Sequence, residues 1–343
     1  MNKTLRKCLI LCGKLVVAGA MLVWAFWGID LSQFVATVKG ADLSLLAAAL
    51  AGFVVSLVVI AFRLRMLLRV QDIEIGLWEL IRLTFLGQFC NAVVPGVVGG
   101  DLVKAYYAAK HTPHKGAATL TVLVDRLMGL TELVLLAVVM LIWVWATKGA
   151  EMADLHRPAI AAGAGLTAVV VMLVLVLSPS LRRILRFEKL YSRLPIAGHI
   201  QSAGDAARRF GQNPGALLKA IAITLLAHGT WIFGIYLAGK SLHLATPWHS
   251  YFLYVPLIYI IGAVPITPGG AGLVEASYKL FFTSELLANH QVLSLALTAR
   301  ALDIIRGLPG LIVIMTGTKA PKEEQLQAEL DADESSPVQE DDS

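Results

Sequence analysis

The chain has 343 residues, of which 57 % are hydrophobic and only 15 % charged, with a formal net charge of +5. A soluble domain carries about a quarter charged residues, so the composition excludes a soluble globular protein and leaves no room for a separate soluble catalytic domain. The isoelectric point near 9.1 would suggest nucleic acid in a soluble chain, but here the basic residues sit beside apolar segments, where topology and anionic lipid heads explain them.

Residues 1–14 form a basic leader with Lys3, Arg6, Lys7 and Lys14. The apolar stretch 15–29 follows it, as in a signal peptide. Trp24, Phe26 and Trp27 crowd its far end and no small-residue cleavage site follows. It is read as an uncleaved first span with an aromatic belt. Cys8 and Cys12 have no further Cys or His nearby to complete a metal site, so they are read as small buried or interfacial residues. The second span covers about 43–62, the third 117–146, the fourth 160–177, the fifth 217–238 and the sixth 292–315. Between them lie two broken segments, about 77–109 and 251–282. A crossing takes about 20 residues, so each broken segment is long enough to cross or to turn back.

The breaks read PGVVGGDLVK at 95–104 and PITPGGAGLVE at 265–275. Hydrocarbon tolerates non-helical backbone only where protein or a water-filled cavity covers it. Two breaks therefore imply a cavity built inside the membrane. The basic leader, the connection with Arg63, Arg65 and Arg69, and the long connection from Arg182 to Arg209 are all rich in Lys and Arg. These regions are expected in the cytoplasm. Both broken segments must then enter and leave on one side, the first from the cytoplasm and the second from the outer face. The expected fold is all-α, with six full transmembrane helices plus two re-entrant helical hairpins and both termini inside. The halves form an inverted repeat, an arrangement that points to a transporter's substrate site. The alternative is that both broken segments cross fully.

Candidate site residues cluster at the breaks and inside the spans. Gly99 and Gly100 permit a tight turn and close approach of a head group. Asp101 then caps a half-helix whose amides face the cavity. Lys104 lies one turn in, suited to a phosphate oxygen, and Asn91 is a polar lining residue. In the third span Asp125 and Arg126 are costly in hydrocarbon and need a partner or water. Arg126 suits bidentate phosphate binding, with an internal ion pair as the alternative. Around the second break, Thr267, Gly269, Gly270 and Glu275 mirror the first. Arg300 and Asp303 share a helix face, and Arg306 is expected to snorkel to the inner interface. His228 is a candidate cavity residue. No Walker loop, His-Glu-x-x-His or Cys-x-x-Cys motif is present, so no cofactor or metal is expected. The segment 319–343 reads as an acidic, disordered tail that could contact a basic surface.

The ordered motifs FCNAVVPGVVGGDLVKAYY (89–107), VDRLMGL (124–130) and PITPGGAGLVEA (265–276) resemble the lysylphosphatidylglycerol synthase transmembrane-region family, or flippase-like domain. The resemblance covers about residues 10–318, a domain set here at 15–318. It implies a bacterial inner-membrane protein. Larger relatives fuse this domain to a soluble aminoacyl-phospholipid synthase that this chain lacks, so the family name is not an activity. The family pattern often has Arg where Lys104 stands and Glu-Arg where Asp125-Arg126 stands; Lys is the poorer bidentate clamp. Asp101, Arg126 and Glu275 match the pattern.

Three functions remain open on the sequence. The leading one is a transporter or flippase for a phosphate-bearing lipid, with an anionic or isoprenoid-phosphate lipid as substrate. The second is a membrane-embedded transferase acting on a lipid head group. The third is a non-transporting partner that binds an envelope enzyme through the acidic tail.

Overall fold

A computed structural model describes residues 31–93, 99–110, 115–148, 156–177, 209–210, 212–264, 267, 270–283 and 287–315. The expected leader, first span, much of the basic connection and the acidic tail lie outside these residues. The described elements are helices: α1 (Leu31–Lys39), α2 (Leu43–Val70), α3 (Leu77–Val93), α4 (Gly99–Lys110), α5 (Lys115–Lys148), α6 (His156–Leu177), α7 (Pro214–Ser241), α8 (Trp248–Gly262), α9 (Leu273–Phe282), α10 (Asn289–Gly307) and α11 (Pro309–Met315). Among them α2, α7 and the Gly116–Thr147 stretch of α5 are long and apolar enough to cross a membrane.

Local chemistry sets the helix ends. Asp42 caps α2, its carboxylate accepting from the Ser44 and Leu45 amides at 2.8 and 3.3 Å. The end of α2 is an αL turn: Asp72 has φ 58° and the Ile73 amide returns to the Leu68 carbonyl. The end of α7 repeats it, with His243 at φ 58° and Leu244 bonded to Gly239. The sixth span, expected to be continuous over 292–315, divides into α10 and α11. Pro309 has no amide to donate to Ile305, and the Leu308 amide instead makes a tight bond to that carbonyl at 3.1 Å.

The core is helix on helix. α2 packs along α7, and small residues bring their backbones close. A methyl group on Gly234 would lie 2.8 Å from the Phe53 ring, and one on Gly52 would lie 3.2 Å from the Thr230 carbonyl. α3 packs on α4, and α8 on α9, so each broken segment is a pair of helices in contact. α5 packs against α8, while α10 packs against α3. Arg209 bonds to Asp72, which puts the end of α2 and the approach to α7 on one side. At the other end, the Asp42 amide bonds to the Ser241 carbonyl and His243 to the Gly40 carbonyl.

Arg63 corrects an expectation. It was placed in a cytoplasmic connection, but α2 runs to Val70 and carries Arg63 inside the protein, 4 % exposed. Its charge is satisfied by buried partners, so it contributes nothing to the basic flank of the span.

Candidate functional site

The two broken segments, α2, α5, α7 and α10 enclose a cavity of about 370 Å³. Eight of the expected residues line it: Asn91, Asp101, Lys104, Asp125, Arg126, His228, Arg300 and Asp303. Its polar groups fall into four ion-pair sets held by different helices.

The first set belongs to the α3–α4 pair. α3 and α4 approach so closely that a methyl group on Gly100 would lie 2.0 Å from the Gly87 carbonyl oxygen. Only glycine allows that approach. The Gly100 amide donates to Asn91 Oδ1 at 2.9 Å. Asn91, rather than Asp101, thus satisfies this free amide at the start of α4. Asp101 stands in the first turn, where the positive end of the helix favours a carboxylate. Its two oxygens lie 3.5 Å from Lys104 Nζ and 3.6 Å from Arg126 Nε. Both distances exceed a good charge-assisted hydrogen bond, so one carboxylate is shared loosely between two cations. Gly99 opens α4.

The second set belongs to the α8–α9 pair. Gly270 and Gly272 have φ 68° and 78°, a region that L side chains enter only at a cost. The turn they make lets Glu275 Oε2 accept from the Gly272 amide at 2.8 Å. Arg300 clamps Glu275 through Nε and through a second nitrogen at 3.2 Å, and it also donates to the Gly270 carbonyl at 3.3 Å. Glu275 is 1 % exposed and sits behind Arg300. Thr267 is buried without a partner for its hydroxyl and does not line the cavity. Gly269 lies outside the described residues.

The third set is on α10. Arg306 pairs with Asp303 at 2.6 Å, bonds to Ser56 at 3.2 Å and lies over the Phe53 and Trp231 rings. Arg306 was expected to snorkel to an interface. The α10 register turns it inward instead, where these aromatic faces and Asp303 hold it. Tyr259 donates to the other oxygen of Asp303 at 2.8 Å.

The fourth set is buried. Arg63 donates to Asp125 Oδ1 at 2.7 Å, to the Asp125 carbonyl at 3.1 Å and to the Thr224 hydroxyl at 2.9 Å. Asp125 therefore has an internal cation as its partner. Both groups still line the cavity, beside His228 and Gly129.

Among the described residues, five cations (Arg63, Lys104, Arg126, Arg300 and Arg306) and three carboxylates line this space, and Glu275 behind Arg300 makes a fourth carboxylate, which leaves one cation in excess. Such a lining attracts an anion, and its low-dielectric walls of Leu57, Ile60, Leu130 and Ile304 strengthen the attraction. Among the described residues, no group of three His, Cys, Asp or Glu could hold a metal ion. The sequence reading missed Trp231 and Tyr259 as cavity residues, since they look like ordinary apolar positions. It also missed Glu132, for which a signal was present: it is a third ionisable residue inside the span of Asp125 and Arg126.

The family model described as "Lysylphosphatidylglycerol synthase TM region" matches residues 11–310. None of the curated proteins compared matches the chain.

Proposed function

The chain belongs to the lysylphosphatidylglycerol synthase transmembrane-region family, and we propose that it carries a phosphate-bearing lipid head group across the bacterial inner membrane. The observation that carries this reading is the cavity with five cations against four carboxylates, Glu275 behind Arg300 included, between two broken helix pairs. A phosphate supplies the missing negative charge. Its oxygens replace the loosely held Asp101 carboxylate at Arg126 and Lys104, while the lipid tail stays outside in hydrocarbon. Arg300 is already saturated by Glu275 and Gly270, and serves as a clasp on the second hairpin.

An inverted repeat supports movement. α2 and α3 start at residues 43 and 77, and α7 and α8 start 171 residues later; α4 and α5 start at 99 and 115, and α9 and α10 start 174 residues later. Asp101 and Arg126 are 25 residues apart, as are Glu275 and Arg300. Each pair joins the second helix of a hairpin to the long helix after it. The packing also corresponds: α5 on α8 matches α10 on α3. In one half this carboxylate–arginine pair is closed, and in the other it is loose. An exchange of those two conditions would open the cavity to alternate faces. α4 and α9 have 12 and 10 residues, well below the roughly 20 needed to cross. That favours re-entrant hairpins, six full spans and both termini in the cytoplasm. The substrate class is an anionic or isoprenoid-phosphate lipid.

Binding tests the reading. The full chain, purified in lipid nanodiscs, should retain a phosphate lipid seen by native mass spectrometry. Lys104→Gln and Arg126→Gln together should lose it. Equal retention by wild type and the double variant would refute head-group binding at this pole.

A further inference from the structure

Glu132 lies in α5, 6 % exposed, and the mechanism above does not use it. Its Oε1 has no hydrogen-bond partner. Its polar neighbours are Thr224 on α7 and Arg63 on α2. Neither is free to serve a carboxylate fully. Arg63 already donates to Asp125 twice and to Thr224. The Thr224 hydroxyl has one hydrogen, and it is given to the Ala220 carbonyl at 2.7 Å. Its remaining lone pair can only accept. Glu132 can therefore bond to Thr224 as a donor, which requires the neutral acid. A buried carboxylate without its own cation or donors is the costly alternative.

Other charged groups are accounted for. On α7, His228 lies one turn away beside Gly129, and its buried Nδ1 has no partner. On α5 itself, Asp125 is paired to Arg63 and Arg126 to Asp101. On α4, Lys104 pairs with Asp101, which faces Arg126. α8 brings Tyr259, which is bonded to Asp303. The titratable residues of α6 are His156 and Arg157 at its start, whereas further along α6 Gly165 packs on Val134 of α5.

We propose that Glu132 is a proton-binding site and that its proton is coupled to lipid movement, an inference that rests on the transport reading. With the proton on, Glu132 donates to Thr224 and leaves Arg63 to Asp125. With the proton released, Glu132 competes for Arg63. That competition weakens the Arg63–Asp125–Thr224 bonds joining α2, α5 and α7, three walls of the cavity. A transmembrane proton gradient thereby biases which arrangement of the walls is populated, since a ligand shifts an equilibrium by its differential affinity for the two states.

Two measurements separate the proton site from the transport reading. The first is infrared difference spectroscopy of the full chain in nanodiscs of phosphatidylethanolamine and phosphatidylglycerol, between acidic and alkaline buffer. Wild type should show a buried carboxylic-acid band that bleaches on the alkaline side, and Glu132→Gln should lack it. Thr224→Val removes the acceptor for the acid proton and should shift the band in frequency. Identical spectra for wild type and Glu132→Gln would overturn the proposal. The second is translocation of fluorescent phosphatidylglycerol in vesicles of the same two lipids. A proton gradient should accelerate wild type and leave Glu132→Gln at its unaccelerated rate. Equal acceleration of both would overturn the coupling. A bleaching Glu132 band in a protein that moves no lipid would leave the proton site standing and sink the transport reading instead.

Discussion

Arg126 and Arg300 should fail differently when each is replaced by Gln, although the sequence presents them as equivalents. Arg300 clamps Glu275, whose side chain is 1 % exposed. Arg300→Gln leaves that carboxylate with the Gly272 amide as its remaining strong partner. Breaking a buried pair costs about 3–5 kcal/mol; Arg300 is 28 % exposed, which places the loss near the lower end. Arg126 is 35 % exposed and 3.6 Å from Asp101. A pair so open contributes about 0–1 kcal/mol to stability. If Arg126 instead grips phosphate, the lost charge-assisted bond is worth about 1.5–3 kcal/mol, so head-group affinity falls roughly 10- to 150-fold. Denaturant unfolding in detergent and lipid translocation in vesicles, measured on the same preparations, separate the two effects. Arg300→Gln should unfold early. Arg126→Gln should unfold normally and translocate poorly. Equal destabilisation of both, or normal translocation by Arg126→Gln, would refute the division of roles.

Gly100→Ala forces a methyl group against the Gly87 carbonyl and Asn91, and overpacking of this kind costs about 1–3 kcal/mol; Gly76→Ala, with nothing within 4 Å, should leave unfolding unchanged. Asp125→Leu alone strands the buried Arg63 and should cost about 3–5 kcal/mol, while Arg63→Met with Asp125→Leu should recover much of it. A double variant as unstable as the single one would contradict the ion-pair account. In a background without native cysteines, single cysteines at Asp72 and Arg209 should resist an impermeant thiol reagent in intact cells, while those at Gly40 and His243 should label. Labelling of Asp72 and Gly40 from the same face would break the topology.

The sequence made the helix order legible because length and hydropathy are properties of local segments. The expected start of the second span at residue 43 coincides with Leu43, where Asp42 supplies a cap. The Pro-Gly-Gly breaks marked both packed helix pairs, since glycine is needed where Gly87 meets Gly100 and where Gly270 and Gly272 take positive φ. Charge partners were not legible. Arg63 and Asp125 are 62 positions apart, and no local pattern reveals that they meet. Arg306 and Arg63 looked like interfacial residues because span ends were placed by counting apolar residues. Trp231 and Tyr259 were hidden for the opposite reason: an aromatic residue facing the cavity and one facing lipid look alike in an apolar helix.

Translocation itself is the most direct test. Fluorescent phosphatidylglycerol and an isoprenoid phosphate can each be placed in one leaflet of vesicles holding the purified full chain, and their arrival in the other leaflet followed by quencher accessibility. At least one phosphate-bearing lipid should cross faster than in protein-free vesicles, and Arg126→Gln should remove most of the excess rate. Crossing at the protein-free rate for both lipids, with the protein folded, would contradict the proposed transport of a phosphate-bearing head group.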